Sequence, residues 1–251
     1  MEPKFVLNEP VLYIEKIKSI VIADLHIGIE YELAKNGIKI PKQTNLMIKK
    51  IKSVIEKTKT KKLIILGDIK HQVPGINFFE QKEIPEFFEQ LKSFCSIKIC
   101  LGNHDTFIKE LIPEGIEIYD SKGFVLNGYG FFHGHAWPDK KLLKCKWIIT
   151  SHIHPTLLFT DKFGHRIIEP VWIKCLIDKR KIKEKYGIDK KYETKMIILP
   201  AFNKILSGSN INVLNIKYDF IEPLMIDMIN KDRCELYLLD GTFIGKLSDM
   251  K

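Results

Sequence analysis

The chain has 251 residues and a net charge of +9, with 45% hydrophobic and 28% charged residues, as in an ordinary soluble globular protein. No stretch approaches the roughly 18 apolar residues of a membrane span, and the first residues carry an early acid and no apolar run, so we predict a cytoplasmic protein without a signal peptide. The five scattered cysteines form no Cys-x-x-Cys pair, which predicts free, buried thiols.

The first half of the chain alternates apolar strands with helical stretches. Residues 44–58 are the clearest helix, because apolar side chains recur at helical spacing behind Thr44, a favoured N-cap residue. We also predict a helix over 30–36 that ends at Gly37, and a helix over 85–94 with proline in its first turn. Buried strands are predicted at 19–23, 62–66 and 97–101. This order predicts an α/β fold with a largely parallel sheet covered by helices.

The second half is predicted to be mostly antiparallel. Asn127-Gly128 and Asp240-Gly241 each lie between two apolar runs, the strongest short signal for a β-hairpin. Residues 178–195 form a polar, basic stretch that we expect to be helical and exposed. Nothing marks a linker, so we predict one domain over 1–251 with that stretch as an exposed insertion. Further strands are predicted at 124–126, 129–133, 147–151, 157–159, 166–173, 234–239 and 242–247.

Seven of the eight histidines lie in five short segments, and the first three segments directly follow predicted strands. The segments are Asp24-Leu25-His26, Gly67-Asp68-Ile69-Lys70-His71, Gly102-Asn103-His104-Asp105, His133-Gly134-His135 and His152-Ile153-His154. Because the carboxyl ends of strands form the ligand crevice of an open α/β sheet, we expect these side chains to meet at one edge. Carboxylate, imidazole and amide groups without a thiolate suit Mn²⁺, Fe²⁺ or Zn²⁺.

The spacing indicates how two ions would be held. Asp24 and His26 lie two residues apart after a strand, so both can turn to one ion, and His152 and His154 share that spacing. Asp68 stands alone after its glycine, and its two carboxylate oxygens make it the natural bridge. Two ions about 3.5–4 Å apart can hold a hydroxide and clamp a phosphoryl group.

The order Asp-x-His, Gly-Asp-x-x-His, Gly-Asn-His-Asp, His and His-x-His resembles the calcineurin-like metallophosphoesterases. This resemblance implies a metallophosphoesterase-type βαβαβ sandwich, with two mixed sheets flanked by helices. Some segments look more narrowly like the small phosphoesterases related to the SbcD nuclease, which include the DNA-ligase-associated phosphoesterases. These segments are Asp24-Leu25-His26-Ile27-Gly28, Gly67-Asp68 with His71, Ser-His-Ile-His-Pro at 151–155 and Pro200-Ala201-Phe202-Asn203.

The resemblance also implies a role for each site residue. It implies seven metal ligands: Asp24, His26 and His154 for the first ion, Asn103, His133 and His152 for the second, and Asp68 between them. His104 would contact the phosphate and protonate the leaving oxygen, and Asp105 would orient His104. We expect two divalent ions, with Mn²⁺ the best activator in vitro and Zn²⁺, Fe²⁺, Ni²⁺ or Co²⁺ as alternatives. Ser151 stands where the family usually has glycine, and we expect little effect from so small a side chain.

Three other histidines are less constrained by the pattern. The family places its single ligand before a glycine, which selects His133 over His135, and His135 could instead line the phosphate site or pack near Trp137. His71 either faces substrate or makes a structural hydrogen bond. His165 lies in a polar turn and is expected at the surface.

The positive charge has two interpretations. It suits a polyanionic partner such as nucleic acid, and it equally suits a lysine-rich, solvated surface. Residues 172–195 hold nine Lys or Arg against four acids, and residues 44–62 hold seven Lys against Glu56. Neither stretch interleaves aromatic residues as a single-strand binding platform does. A phosphate-tracking surface and a solvated helix face both stay open.

Three functions are compatible with this sequence. The first is metal-dependent, nuclease-like hydrolysis of a phosphodiester in DNA or RNA, which the SbcD-like resemblance and the charge favour. The second is hydrolysis of small phosphoesters such as cyclic nucleotides or phosphomonoesters, because the motifs specify the phosphate chemistry and not the leaving group. The third is a non-catalytic scaffold, against which the filled ligand positions argue. We predict no membrane partner, and the oligomeric state stays open, a homodimer included.

Overall fold

The computed structural model describes residues 1–190, 192–213 and 228–250. These residues form two mixed β-sheets flanked by four α-helices, which confirms the predicted α/β sandwich. Among the described helices, none combines the length and apolar character needed to cross a membrane. All five cysteines are free and buried, as predicted. The assignment of 1–251 to one domain stays a prediction, and residues 191, 214–227 and 251 within it lie outside the described residues.

The first sheet has six strands in the order β1-β2-β3-β4-β5-β6. They are β1 Lys4–Phe5, β2 Leu12–Ile14, β3 Ser19–Ala23, β4 Lys62–Leu66, β5 Ser96–Cys100 and β6 Glu117–Tyr119. Strands β3 to β6 are parallel, while β1 and β2 extend the sheet in antiparallel fashion. The central strands are nearly continuous apolar runs because both faces of the sheet are covered.

Within the described part of the chain, the second sheet is mixed and has nine strands. They are β7 Phe124–Leu126, β8 Tyr129–Phe131, β9 Trp147–Thr150, β10 Pro155–Thr160, β11 Arg166–Ile177, β12 Lys195–Ile198, β13 Ser209–Asn210, β14 Ile229–Leu238 and β15 Phe243–Lys246. Their order is β13-β10-β11-β12-β9-β8-β7, with β14 pairing with β11 and β15. Both Asn-Gly and Asp-Gly hairpins are present as predicted, joining β7 to β8 and β14 to β15.

Two apolar cores explain why the molecule is layered. The described helices are α1 Ile29–Lys35, α2 Thr44–Thr58, α3 Phe78–Lys92 and α4 Lys179–Tyr186. On β4, Ile64 belongs to the core between the two sheets, whereas Ile65 belongs to the core under α2 and α3. Side chains of a strand alternate between faces, so β4 supplies both cores from adjacent residues. The buried stripe of α2, which includes Ile51, is therefore core packing.

Three local predictions are wrong. Helix α3 begins at Phe78 and not at residue 85, because Asn77 and Glu80 form a reciprocal capping box that starts the helix earlier. Thr44 does not cap α2, since its hydroxyl donates to Glu83 Oε2 at 3.2 Å instead. The polar stretch 178–195 is helical only over Lys179–Tyr186, because Gly187 with positive φ ends the helix, and Ile182 and Lys190 within the stretch are buried.

Candidate metal centre

The predicted site residues lie on loops that follow strands of both sheets. The loops after β3, β4 and β5 carry Asp24, Asp68 and His104, and those after β8 and β9 carry His133 and His152. Backbone bonds tie these loops together: the amide of His26 donates to the carbonyl of Asp68 at 2.8 Å, and that of Ser151 to the carbonyl of His133 at 2.8 Å. The site residues of the first sheet therefore meet at one edge, as the strand order predicted. Loops of the second sheet supply the remaining site residues.

Four side chains gather around a first candidate ion position. Asp24, His26, Asp68 and His154 each place one ligand atom within 4.8 Å of the others. The Nε2 atom of His154 lies 3.3 Å from Asp24 Oδ1, and His26 Nε2 lies 3.5 Å from Asp68 Oδ2. Two atoms that are each about 2.1 Å from one ion lie roughly 3.0–3.4 Å apart, so these spacings suit shared coordination.

A second candidate position lies on the other side of Asp68. The ligand atoms of Asp68, His133 and His152 also fall within 4.8 Å of one another. His133 Nε2 lies 3.3 Å from Asp68 Oδ2, the same oxygen that faces His26. One carboxylate oxygen thus faces histidines of both groups, so Asp68 connects the two groups. Among the described residues this second group contains His133 and not His135.

Several buried polar atoms in these groups make no hydrogen bond. They are both carboxylate oxygens of Asp24 and the Nε2 atoms of His26 and His154. A buried carboxylate without a hydrogen-bond donor is costly, and a bound cation offsets that cost. The donor set also combines imidazole nitrogen with carboxylate oxygen, the chemistry that borderline divalent ions prefer. The residues present therefore fit divalent metal ions.

Burial and nearby carboxylates shift the pKa values of the site histidines in opposite directions. Burial lowers the pKa of His26 to about 2 and that of His152 to about 3, so both imidazoles are neutral, the form that binds a metal. Burial also disfavours a charge on His133, but Asp68 and Asp24 outweigh it and raise the pKa of His133 to about 10. The nearby carboxylates thus favour the protonated form of His133 when no metal is bound.

The backbone of the site is strained. Among the described residues, ten non-glycine residues have positive φ, and half of them are predicted ligands. These ligands are Asp24, His26, Asp68, His152 and His154. Left-handed backbone costs a non-glycine residue free energy and persists where the surroundings enforce it, typically at functional sites.

Two glycines allow this crowding. A Cβ atom on Gly67 would collide with the ring of His133, and one on Gly102 would collide with Oδ1 and the backbone nitrogen of Asp68. The Gly-Asp and Gly-Asn-His motifs thus contain glycine because their neighbours approach the main chain closely.

Comparison with known proteins identifies the family. Residues 17–190, more than half of the chain, match the calcineurin-like phosphoesterases. The chain belongs to this family. Membership supports a hydrolase that acts on phosphate esters and implies divalent metal ions. No curated protein matches the chain.

Three solved structures resemble this phosphoesterase at low identity. The nuclease MPE of Pseudomonas putida is 17% identical, covers 95% of this chain and 96% of its own, and has a TM-score of 0.54. Yfce, a phosphoesterase from E. coli, is 13% identical, with 57% and 73% covered and a TM-score of 0.36. A predicted phosphoesterase of Streptococcus pneumoniae TIGR4 is 11% identical, with 90% and 91% covered and a TM-score of 0.32. At this identity, the likeness to the nuclease concerns the fold alone.

In this phosphoesterase, His104 has a different partner from the one expected. Its Nδ1 atom lies 2.7 Å from the carbonyl oxygen of His71, to which it can donate. The carboxylate of Asp105 instead accepts from the amides of Ile69 and Gly102, each at 2.8 Å. Burial and the neighbouring Asp68 raise the pKa of Asp105 to about 6. Asp105 thus acts on the loops that carry His104 and not on its ring.

His71 connects the metal groups to a residue that the sequence did not single out. Its Nδ1 atom lies 3.1 Å from His26 Nδ1, and its Nε2 atom lies 2.8 Å from Glu32 Oε2 on α1. Together with His104, His26 and His71 form a third histidine group. No local signal marks Glu32, because its contact is made across 39 residues. The structure thus supplies the hydrogen bond that was one alternative for His71.

The remaining site residues take varied positions. His135 lies beside the second group, with its ring centroid 5.3 Å from that of His133. Asn103 is exposed on the loop after β5, and its assignment as a ligand stays a prediction. His165 is a surface residue as predicted, with 80% of its side chain exposed. Asn203 of the Pro-Ala-Phe-Asn segment is buried and donates from Nδ2 to the carbonyl of Leu25 at 2.9 Å, which holds the Asp-Leu-His loop in place.

Proposed function

We propose that this chain is a dinuclear, Mn²⁺-activated phosphodiesterase whose substrate is nucleic acid. One observation carries the two-ion part: Oδ2 of Asp68 faces His26 at 3.5 Å and His133 at 3.3 Å, so it belongs to both ligand groups. A single-ion site would need only one of these groups. Family membership supports the phosphoester chemistry.

The residues of the chain divide the chemistry between them. When bound, two divalent ions supply Lewis-acid chemistry for water activation and phosphoryl binding. Asp24, His26, Asp68, His133, His152 and His154, with Asn103, would hold these ions. His104 is fixed through Nδ1, which leaves Nε2 to deliver a proton to the leaving oxygen. Hydrogen bonds from the amides of Ile69 and Gly102 keep Asp105 in place and so hold the loop of His104.

Two observations support nucleic acid as the substrate class. The net charge is +9, and the described part of the basic stretch includes α4, most of whose cations are exposed. Lys191 of that stretch lies outside the described residues. One structure with the same fold belongs to a protein described as a nuclease. Exposed lysines bind the phosphates of a nucleic-acid backbone.

An assay panel tests the proposal. Purified protein is incubated with a bis-aryl phosphodiester, an aryl monophosphate, a cyclic nucleotide and a short single-stranded DNA, each with Mn²⁺, Zn²⁺, Ni²⁺, Co²⁺ or Mg²⁺. We expect hydrolysis of the aryl diester and of DNA, fastest with Mn²⁺. Rapid turnover of the cyclic nucleotide or monoester without cleavage of DNA would reject the nucleic-acid substrate. Absence of any hydrolysis would reject the catalytic function itself.

A further inference from the structure

An aromatic side chain and the basic helix α4 meet next to the metal centre. Trp137 lies two residues beyond His135 and four beyond His133, on the loop that follows β8. The Nζ atom of Lys185 lies 4.4 Å from the centroid of the indole ring of Trp137. Tyr186 of α4 packs its ring edge-on at 6.0 Å and donates from its hydroxyl to the carbonyl of Pro138 at 2.9 Å. The helix is therefore attached directly to the loop that carries a predicted ligand.

The contact borders a cavity. The cavity has a volume of about 450 Å³ and is lined by Trp137, Lys181, Glu184, Lys185 and Met228. Lys181 and Lys185 are four residues apart, so they lie on the same face of α4. Lys183 lies on another face and pairs with Asp189 at 3.2 Å. Among the described residues, the cavity thus combines an aromatic ring with two lysines and one glutamate, and its volume is within the size range of ligand sites in proteins.

The position of this cavity matters for a polymeric substrate. Four residues span at most roughly 14 Å, so Trp137 lies within that distance of His133. His135 fills the interval, with its ring 5.3 Å from His133 and 5.9 Å from His152, and its buried Nδ1 atom makes no hydrogen bond. A strand that is held at the metal centre and runs toward this loop would place its next nucleotides near Trp137.

We propose that Trp137, Lys181 and Lys185 form a nucleobase-stacking subsite for single-stranded nucleic acid, adjacent to the metal centre. The proposal rests on the proposed function, because it specifies which nucleic acid that site takes. Trp137 is half-buried, and its ring borders the cavity. A base that stacks on this ring must be unpaired, and neighbouring lysines hold the flanking phosphates. The sequence did not suggest this platform, because Trp137 is more than 40 residues from α4 along the chain.

The competing explanation is that Trp137 only anchors α4 through its contact with Lys185. If Trp137 is only an anchor, its ring must pack against α4, but binding of a ligand would not change its environment. Replacement by leucine keeps an apolar side chain and removes the aromatic face, whereas replacement by phenylalanine keeps a smaller face. The pair Trp137→Leu and Trp137→Phe therefore separates stacking from packing.

Tryptophan fluorescence gives a direct readout of the subsite. The chain has three tryptophans, and Trp147 and Trp172 are 3% and 0% exposed, so Trp137 is the one that a ligand can reach. The probe is a short oligothymidylate with phosphorothioate linkages, added to the Mn²⁺-loaded protein at moderate salt. Binding should quench the fluorescence of the wild type, and a duplex of equal length should quench it much less.

The variants give matched comparisons. We expect Trp137→Leu to weaken binding of the oligothymidylate roughly 10-fold and Trp137→Phe to weaken it only slightly, since stacking survives in phenylalanine. Lys185→Gln should weaken binding several-fold, whereas Lys183→Gln on the same helix should not. All four variants should hydrolyse the bis-aryl diester like the wild type.

Three results would overturn the subsite. They are wild-type affinity in Trp137→Leu, equal quenching by duplex, and a loss of aryl diester hydrolysis in Trp137→Leu that shows a structural role. Failure of the proposed function looks different, because the wild type itself would then not hydrolyse the aryl diester. The two ideas can therefore fail separately.

Discussion

Asp68 presents one carboxylate oxygen to both histidine groups, so its loss should affect more of the site than that of any single imidazole. We expect Asp68→Asn to lower the affinity for both ions, because an amide removes the charge that they would share. Elemental analysis and calorimetric titration with Mn²⁺ measure the stoichiometry, with two ions expected in the wild type. Asp161→Asn, an exposed carboxylate paired with His165, is the control that should keep both. Two tightly bound ions in Asp68→Asn would contradict a shared ligand.

For His104, unlike Asp68, we expect a substitution to leave the metal content unchanged. As a proton donor, it should contribute roughly 10²–10⁴ in rate. His104→Ala should therefore lose activity by that factor on a diester with a poor leaving group, lose less on an activated aryl ester, and keep both ions. Rates on both esters and elemental analysis of the same preparation measure this. Loss of an ion would instead make His104 a ligand within the third group, with His26 and His71.

The ligands themselves could be predicted because each motif is local and follows a strand. The contacts that hold these ligands in place could not be predicted. Glu32 reaches His71 across 39 residues, and Asn203 reaches Leu25 across 178 residues. Spacing along the chain contains no information about such pairs. The contacts of Asp105 were missed for a related reason. Its carboxylate accepts hydrogen bonds from backbone amides, and the identity of nearby residues does not reveal such contacts.

At the scale of elements, α3 shows how a cap can connect a helix to the site. Glu80 completes the capping box with Asn77, and its carboxylate also accepts from the amides of His71 at 3.0 Å and Gln72 at 2.7 Å. The first turn of α3 thus fixes the loop that carries His71. The sequence contained the signal, Asn77-x-x-Glu80, but Pro85 suggested a later start.

Removal of the cap should reduce stability. We expect Asn77→Ala to lower the free energy of unfolding by about 0.5–2 kcal/mol, because the amide of Glu80 loses its acceptor. Urea unfolding of the metal-free protein measures this. Gln81→Ala, at an exposed position in the same part of the helix, should change stability by less than about 0.5 kcal/mol. Equal stability of the two variants would show that the capping box contributes little.

The shortest strands were not predicted from the sequence. The strands β2 and β6 have three residues each, too few to show a periodicity. They form because β3 and β5 offer them an edge to pair with. Strand β12 had an apolar run that could have been recognised, and its central place between β9 and β11 depends on the tertiary fold.

At the scale of the whole molecule, the site exists because two sheets meet. The first sheet brings Asp24 and Asp68, and the second brings His133, His152 and His154. Hydrophobic periodicity predicted the central strands β3, β4 and β5 of the first sheet, but it cannot say which face of one sheet packs on another. The resemblance to a family supplied that step, and the core shared by Ile64 and Ile148 accounts for it physically.

The arrangement of the two sheets also predicts which lysines can contact a bound nucleic acid. Lys59, Lys61 and Lys62 line a basic cleft of about 620 Å³ at the amino ends of the parallel strands. Five-residue strands are about 16 Å long, so this cleft lies at the opposite end of the sheet from the metal centre. The helix α4, in contrast, is attached to the loop of His133 through Tyr186. Lysines therefore lie both near the site and far from it.

Two triple variants with equal net charge exploit this difference. Changing Lys179, Lys181 and Lys185 to Gln should lower the log–log salt dependence of single-stranded DNA binding by up to about 2, because each phosphate contact contributes roughly 0.7. Changing Lys59, Lys61 and Lys62 to Gln should leave that slope unchanged. Binding titrations over a series of salt concentrations measure both. Equal decreases would show that net charge, and not the position of α4, attracts the strand, and no decrease in either would remove α4 from the binding surface.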